Sequence, residues 1–351
     1  MEFGDIPLDF AQDTILAHSI RKGSVAFRKG RILTAGDIAA LKAQGVTAVT
    51  AARLEPDDVG EDAAAARVGA AVGGEGVTVA EAATGRVNLF ADTDGVLVYD
   101  PARLDALNLV DEAVTVAALP VFDVVSPRRM IATAKIIPYA VAESVVAEVE
   151  RRAAEGGSPL FRVAPFAGLK VALIQSLLPS VKVSVIEKTV RVIAGRIAHI
   201  KGTMLPERRC AHDIGAIADA ILAAKAKGAE MILVVGASAI TDRRDVIPAA
   251  LEKSGGRVEH LGMPVDPGNL LMLGQLDAAT PVLGMPGCVR SPKLNGADWV
   301  MERLGARLPV TALDIKRMGA GGLLMEIGTR PLPRAKASQP LCPNPPGQND
   351  D

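Results

Sequence analysis

The spacing of apolar residues changes character near residue 160. Upstream, short β-like runs alternate with glycine turns and are broken by stretches at helical spacing. "TAGDIAALKAQGV" starts at Thr34, a residue suited to capping, carries Asp37 in its first turn and stops at Gly45. "GEDAAAARVGAAVGG" predicts a second short helix closed by glycines. From Val77 to Ala140 the pattern is mostly β, in pieces such as "GVLVYD", "AVTVAAL" and "MIATAKIIPYAV". Runs this short imply small mixed sheets. A helix over "VAESVVAEVERRAAEGG" then ends at Gly156, and "GGSPLFRVAPF" reads as a linker.

Past the linker, strand and helix patterns alternate, which is the signature of a parallel sheet covered on both faces. "LKVALIQSLLP", "EMILVVGAS", "RVEHLGMPV" and "TPVLGMPG" predict strands. "KVSVIEKTVRVIAGRIAHIKG" predicts a helix with a strand after it. "DIGAIADAILAAKAKGA" predicts a helix capped by Asp213 and stopped by Gly228, and "VIPAALEKSGG" and "LNGADWVMERLGA" predict two more. "DIKRMGAGGLLMEIGTRPLPR" reads as a final hairpin or strand pair, and the Pro-rich tail from Ala335 as a disordered segment or linker. The expected organisation is a mixed α+β region over residues 1–150, an α/β domain over 160–334 and a tail over 335–351.

Composition narrows the function classes. Only 3% of residues are aromatic and the net charge is −1, so neither stacking platforms for single strands nor a global field for nucleic acid or acidic membranes is expected. No apolar run reaches the roughly 18–20 residues of a membrane span. The acidic start "MEFGDIPLDF" lacks the order of a secretory signal, and a cytoplasmic protein is expected. Cys210, Cys288 and Cys342 are widely spaced, and His18, His199, His212 and His260 lack ligand spacing, so neither a disulfide framework nor a dedicated zinc site is expected.

In an open α/β sheet, ligands bind beyond the carboxyl ends of the strands. Candidate chemistry is therefore sought in "QSLLPS", "GASAITDRRD", "VDPGNL" and "GMPGCVRSPK". In the second loop, Gly236, Ala237 and Ser238 are small enough to admit a ligand to the backbone, and a helix starting near Val246 would aim free N–H groups at an anion. Asp245 can cap that helix, with Pro248 in its first turn, which leaves Asp242 without an obvious structural duty. The plain alternative for this Asp-x-x-Asp is a cap and a salt bridge. In the fourth loop, Gly287 permits a tight turn, Ser291 and Pro292 suit a helix start, and Arg290 and Lys293 can neutralise a phosphate. A capped turn with solvated cations is the alternative there. Pro267-Gly268-Asn269 is a turn signal in its own right. Cys288 has no histidine near it in sequence, and His212 reads as a surface or capping residue rather than a general base.

These loops carry a family resemblance. "GASAITDRRDVIPAAL" is similar to the glycine-rich loop, aspartate and proline-started helix of the molybdopterin-binding domain found in gephyrin-like, molybdate-insertion proteins of molybdenum cofactor biosynthesis. "GMPVDPGNL" and "LGMPGCVRSP" resemble that domain's two later signatures, in the same order over about residues 167–310. The chain also resembles the molybdopterin-binding portion of bacterial proteins fused to a molybdenum cofactor cytidylyltransferase-like domain. "AHSIRKGSVAFRKGRILTAGDIAAL" faintly resembles a β-clip domain.

The resemblance implies a three-layer α/β/α fold with a mostly parallel sheet, and a homo-oligomer. It implies a pocket for molybdopterin or its nucleotide, with Mg²⁺ and ATP or CTP as companions. By position, Asp242 and Asp245 would be the catalytic and metal-holding acids. Gly236, Ala237, Ser238, Pro267, Gly268, Asn269, Pro286, Gly287, Arg290 and Ser291 would bind the ligand. The sequence also departs from the pattern. Gln175-Ser176-Leu177-Leu178 stands where the insertion enzymes have Thr-Gly-Asp-Glu, and Asp266 and Asn269 replace lysines. Two functions follow from the resemblance: an enzyme of cofactor maturation, or a non-catalytic carrier serving a separate nucleotidyltransferase or a molybdoenzyme.

Overall fold

A computed structural model describes residues 1–324. The chain is of the mixed α/β class and divides into two compact units, one of Met1–Ala167 with Ala306–Leu308, the other of Gly168–Gly305 with the chain from Pro309. No described helix is long and apolar enough to cross a membrane.

The first unit is built from small antiparallel sheets, as its short runs require. Glu2–Pro7, Ala48–Arg53 and Ile15–Leu16 form one sheet, with the helix Ala35–Ala43 alongside them in sequence. That helix is capped as its sequence predicts: Thr34 Oγ1 accepts from Asp37 N–H, and the Asp37 carboxylate accepts from Thr34 N–H. A second sheet orders Val114–Ala118, Met130–Ile136, Arg86–Ala91 and Val77–Val79. The helices Glu61–Val72 and Glu143–Ala153 pack with it around Val68, Val87, Leu89, Ile131, Val149 and Phe161, all buried. A helix at Pro101–Asn108, capped by Asp100, interrupts the stretch expected to be β.

The second unit holds a seven-stranded sheet. Its strands are β1 (Lys170–Leu177), β2 (Thr203–Met204), β3 (Arg208–Ala211), β4 (Met231–Val235), β5 (Arg257–Leu261), β6 (Met272–Asp277) and β7 (Thr280–Met285). β2 and β3 pair in succession with one side of β1, and the order continues β1-β4-β7-β6-β5. Pairings up to β7 are parallel, whereas β5 and β6 are added antiparallel. The helices are α1 (Val183–His199), α2 (Ile214–Ala226), α3 (Val246–Lys253), α4 (Gly296–Gly305) and α5 (Ala312–Lys316).

Alternation in the sheet is complete on both faces. Ala172, Ile174, Ile232, Val234 and Val282 pack under Ile217, Ile221, Ile247 and Leu251 of α2 and α3. Their neighbours Leu173, Leu233 and Leu283, which point to the opposite face, are equally buried. Asp213 caps α2, and Gly228 ends it in a left-handed conformation at φ +83°.

Two expectations need correction: "GGSPLFRVAPF" is not a linker, since Arg162–Pro165 within it is a strand and Leu160, Phe161 and Val163 are buried in the first unit's core, and the final segment does not open as a hairpin. Asp314–Gly319 belongs to α5 and a following 3-10 turn rather than to a strand pair, because Thr311 and Asp314 form a capping box that starts a helix. Residues 320–324 carry only an isolated bridge between Leu323 and Asp266; the rest of that predicted hairpin, and the tail from Ala335, lie outside the described residues.

Candidate functional site

Parallel strands release their chains at one edge, and register decides which residues meet there. Gln175 of β1 pairs with Val235 of β4, and Val235 with Met285 of β7. The next residues, Ser176, Gly236 and Pro286, therefore form a row at the carboxyl edge. Ser176 also pairs with Cys210 of β3, two residues before His212.

A polar chain runs across this edge. The Ser176 hydroxyl lies 2.8 Å from His212 Nδ1, and His212 Nε2 lies 3.0 Å from Ser238 Oγ. The chain grades from buried Ser176 through half-buried His212 to exposed Ser238. The backbone N–H groups of Ala237, Ser238 and Ala239 donate to no acceptor among the described residues. Gly236 is required by close approach: a Cβ there would stand 2.8 Å from Ile247 Cδ1 and 2.9 Å from the Ser238 carbonyl oxygen.

Arg290 closes the other side. It ends the 3-10 turn Gly287–Arg290 and donates from Nη2 to the Gly236 carbonyl at 2.8 Å. A Cβ on Gly287 would lie 3.6 Å from Arg290 Nη1, so the guanidinium lies beside that turn. Its Nε is buried without an acceptor, and no carboxylate pairs with it among the described residues. Burial pushes this guanidinium below the usual arginine range, and no neighbouring charge opposes the shift. A half-buried cation without a counter-charge is costly unless an anion arrives.

The loop that carries Arg290 is anchored from behind by buried Arg196 of α1. Arg196 pairs with Asp298 at 2.5 Å and donates to the carbonyls of Val289, Ser291 and Lys293 at 2.9–3.1 Å. Ser291 and Pro292 do not start a helix. α4 begins at Gly296, and Asn295 takes the capping position, its Oδ1 accepting from Ala297 N–H while Asp298 accepts from Asn295 N–H. The correction has a simple cause: Arg196 takes the Ser291 and Lys293 carbonyls, which are then not free to accept helical hydrogen bonds, and the segment bends instead. Cys288 is exposed, and its sulfur accepts from Asn295 Nδ2.

The other sequence candidates have local duties. Asp245 caps α3, one carboxylate oxygen accepting from Val246 N–H and the other from Thr241 N–H. Asp242 is exposed and bound to Arg244, whose side chain and N–H both hold its carboxyl below the usual range. These bonds are those of a cap and a salt bridge, and they do not make the pair a fitted Mg²⁺ cradle. Among the described residues no group of three or more His, Cys, Asp or Glu side chains is placed to hold a metal. Pro267, after a cis bond from Asp266, accepts from Gly296 N–H at the start of α4. Gly268 has φ +142°, and a Cβ there would meet Gly296 N at 2.9 Å, so this glycine serves packing against α4. Asn269 Nδ2 donates to the Met263 carbonyl.

The structure thus brings Gly236, Ser238 and Arg290 together and adds Ser176 and His212; His212, read from the sequence as a surface or capping residue, is half-buried, and Asp213 takes the cap. The signal for His212 lay in β3: the short polar run "RRCA" places His212 at a strand end.

A family model described as a domain of unknown function (DUF8806) matches residues 5–53, in the first unit and away from these loops. No curated protein matches the chain.

Proposed function

We propose that the second unit is a molybdopterin-binding-type domain, a three-layer α/β/α fold that binds a phosphorylated pterin at the carboxyl edge of its sheet. The observation that carries this reading is Arg290, half-buried, without a carboxylate partner and with an orphaned Nε, beside the Gly236–Ser238 loop. A phosphate would supply the missing charge, and the N–H groups of Ala237 to Ala239 would add the donors. The three sequence signatures narrow the ligand class from phosphate to molybdopterin or its nucleotide. The first unit is read as a β-clip-like accessory, and the protein as a cytoplasmic homo-oligomer.

The carrier reading is favoured over the Mg²⁺-dependent maturation enzyme by one observation, which bears on metal-assisted chemistry alone. Buried Gln175 donates to Glu207 and to the Ile186 carbonyl, and exposed Leu178 stands where the insertion enzymes present an acid. Such a carrier would deliver its ligand to a nucleotidyltransferase or a molybdoenzyme. Direct binding of molybdopterin, ATP and CTP, each with and without Mg²⁺, tests the reading. Molybdopterin is expected to bind without metal, and Arg290→Gln to weaken it about 100-fold, the equivalent of a lost charge-assisted pair. Failure of molybdopterin to bind, or binding that Arg290→Gln leaves unchanged, overturns it.

A further inference from the structure

His212 satisfies the buried Ser176 hydroxyl and caps neither neighbouring helix. Asp213, not His212, caps α2, and Asp245 caps α3. An imidazole between two hydroxyls, one buried and one exposed, is the arrangement of a base held by an orienting group and facing a nucleophile. Nucleophile and base stand 3.0 Å apart, and base and orienter 2.8 Å apart.

We propose that Ser238 is a nucleophile towards the phosphorus of a phosphate ester, with His212 as its base and Ser176 as the residue that positions the ring. The ester class rests on the anion-binding reading of Arg290; the nucleophile does not. In the step, Ser238 Oγ forms a bond to phosphorus while its proton passes to His212 Nε2. The bond from phosphorus to the leaving oxygen breaks, and that oxygen takes the proton from His212. Water then attacks the phosphoserine, giving its proton to His212, which returns it to Ser238. The balance is one ester and one water consumed, one alcohol and one phosphate released. Charge on the phosphoryl oxygens falls to Arg290 and to the free N–H groups of the loop. Both hydrogen-bond partners of His212 are neutral. Asp213, next in sequence, is turned to Ala216 N–H, and Arg290 to the Gly236 carbonyl.

A fluorophosphonate tests this on the full chain. Attack forms the serine–phosphorus bond and expels fluoride, and mass spectrometry of digests locates the adduct. Labelling is expected at Ser238 and to be abolished in Ser238→Ala. It should slow at least about 100-fold in His212→Gln, the scale of general-base loss. Ser176→Ala should slow it about tenfold, as loss of an orienting group does, and Ser176→Thr should restore it. An adduct elsewhere, or a rate indifferent to His212→Gln, overturns the proposal. Inorganic phosphate separates it from the anion reading. Phosphate that binds and protects a chain that never labels removes the nucleophile alone. Labelling that neither phosphate nor Arg290→Gln alters removes the anion site and the ester class with it.

Discussion

Arg196 and Arg290 both serve the loop that follows β7, and they are held in opposite ways. Arg196 is buried, paired with Asp298 and bonded to three carbonyls, so its charge and its donors are met from within the chain. Arg290 has one carbonyl, an orphaned Nε and, among the described residues, no carboxylate. Buried polar groups of a folded chain mostly find partners within it, and an unmet charge at the carboxyl edge of a parallel sheet is what the proposed anion site calls for. Burial alone would have ranked the two the other way.

The largest effect expected on this contrast is in stability. Arg196→Met should cost about 3–5 kcal/mol in urea unfolding, because Asp298 and the carbonyls of Val289, Ser291 and Lys293 lose their partner inside the protein. Arg290→Met should cost under about 1 kcal/mol, or stabilise, while removing phosphate binding. Equal losses of stability in the two variants would erase the distinction.

A smaller effect separates capping from ligand binding on the open side. Asp245→Ala should lower stability by about 1 kcal/mol through the lost α3 cap and leave inorganic phosphate binding unchanged. Asp242→Ala, which removes an exposed pair, should change neither quantity measurably. Loss of phosphate binding in either variant would return these acids to the site.

The smallest effect lies on the closed side, where His199 and Glu302 form a second link between α1 and α4 at 3.2 Å. The hydrogen bond to Glu302 raises the His199 pKa, with Asp298 adding to the rise and both burial and Lys201 opposing it. Folded protein therefore binds the proton more tightly than unfolded protein does. The contribution is complete below the ordinary histidine value of about 6.5 and is lost as pH rises through the raised folded value. His199 is half exposed, so the contribution is under about 1 kcal/mol. Comparing urea midpoints of the parent and His199→Gln across that range should show the parent's advantage vanish towards alkaline pH. An advantage that grows with pH would contradict the assignment.

What the sequence made legible follows from distance along the chain. Thr34 with Asp37, Asp213 and Asp245 cap within a few residues of themselves, and each stands as a cap in the structure. The helix at Pro101–Asn108 was hidden because β-like runs flank it on both sides. β6 was hidden because "MLGQLD" has no period of its own and is a strand through pairing with β7. Arg290 could be named from its loop, but its lack of a partner is a property of the packed interior. Ser176 and His212 are 36 residues apart, and only parallel register brings them together.

The Arg196 fork has an electrostatic consequence as well. The carbonyls of Val289, Ser291 and Lys293 accept from Arg196, so the negative ends of those peptide dipoles are met by its guanidinium. If Arg290 holds an anion as proposed, the edge would present its charge without those three dipoles to offset it, on a chain whose net charge is only −1. An anion approaching it would be drawn in over about one Debye length, and added salt would slow its arrival more than it would hasten its departure.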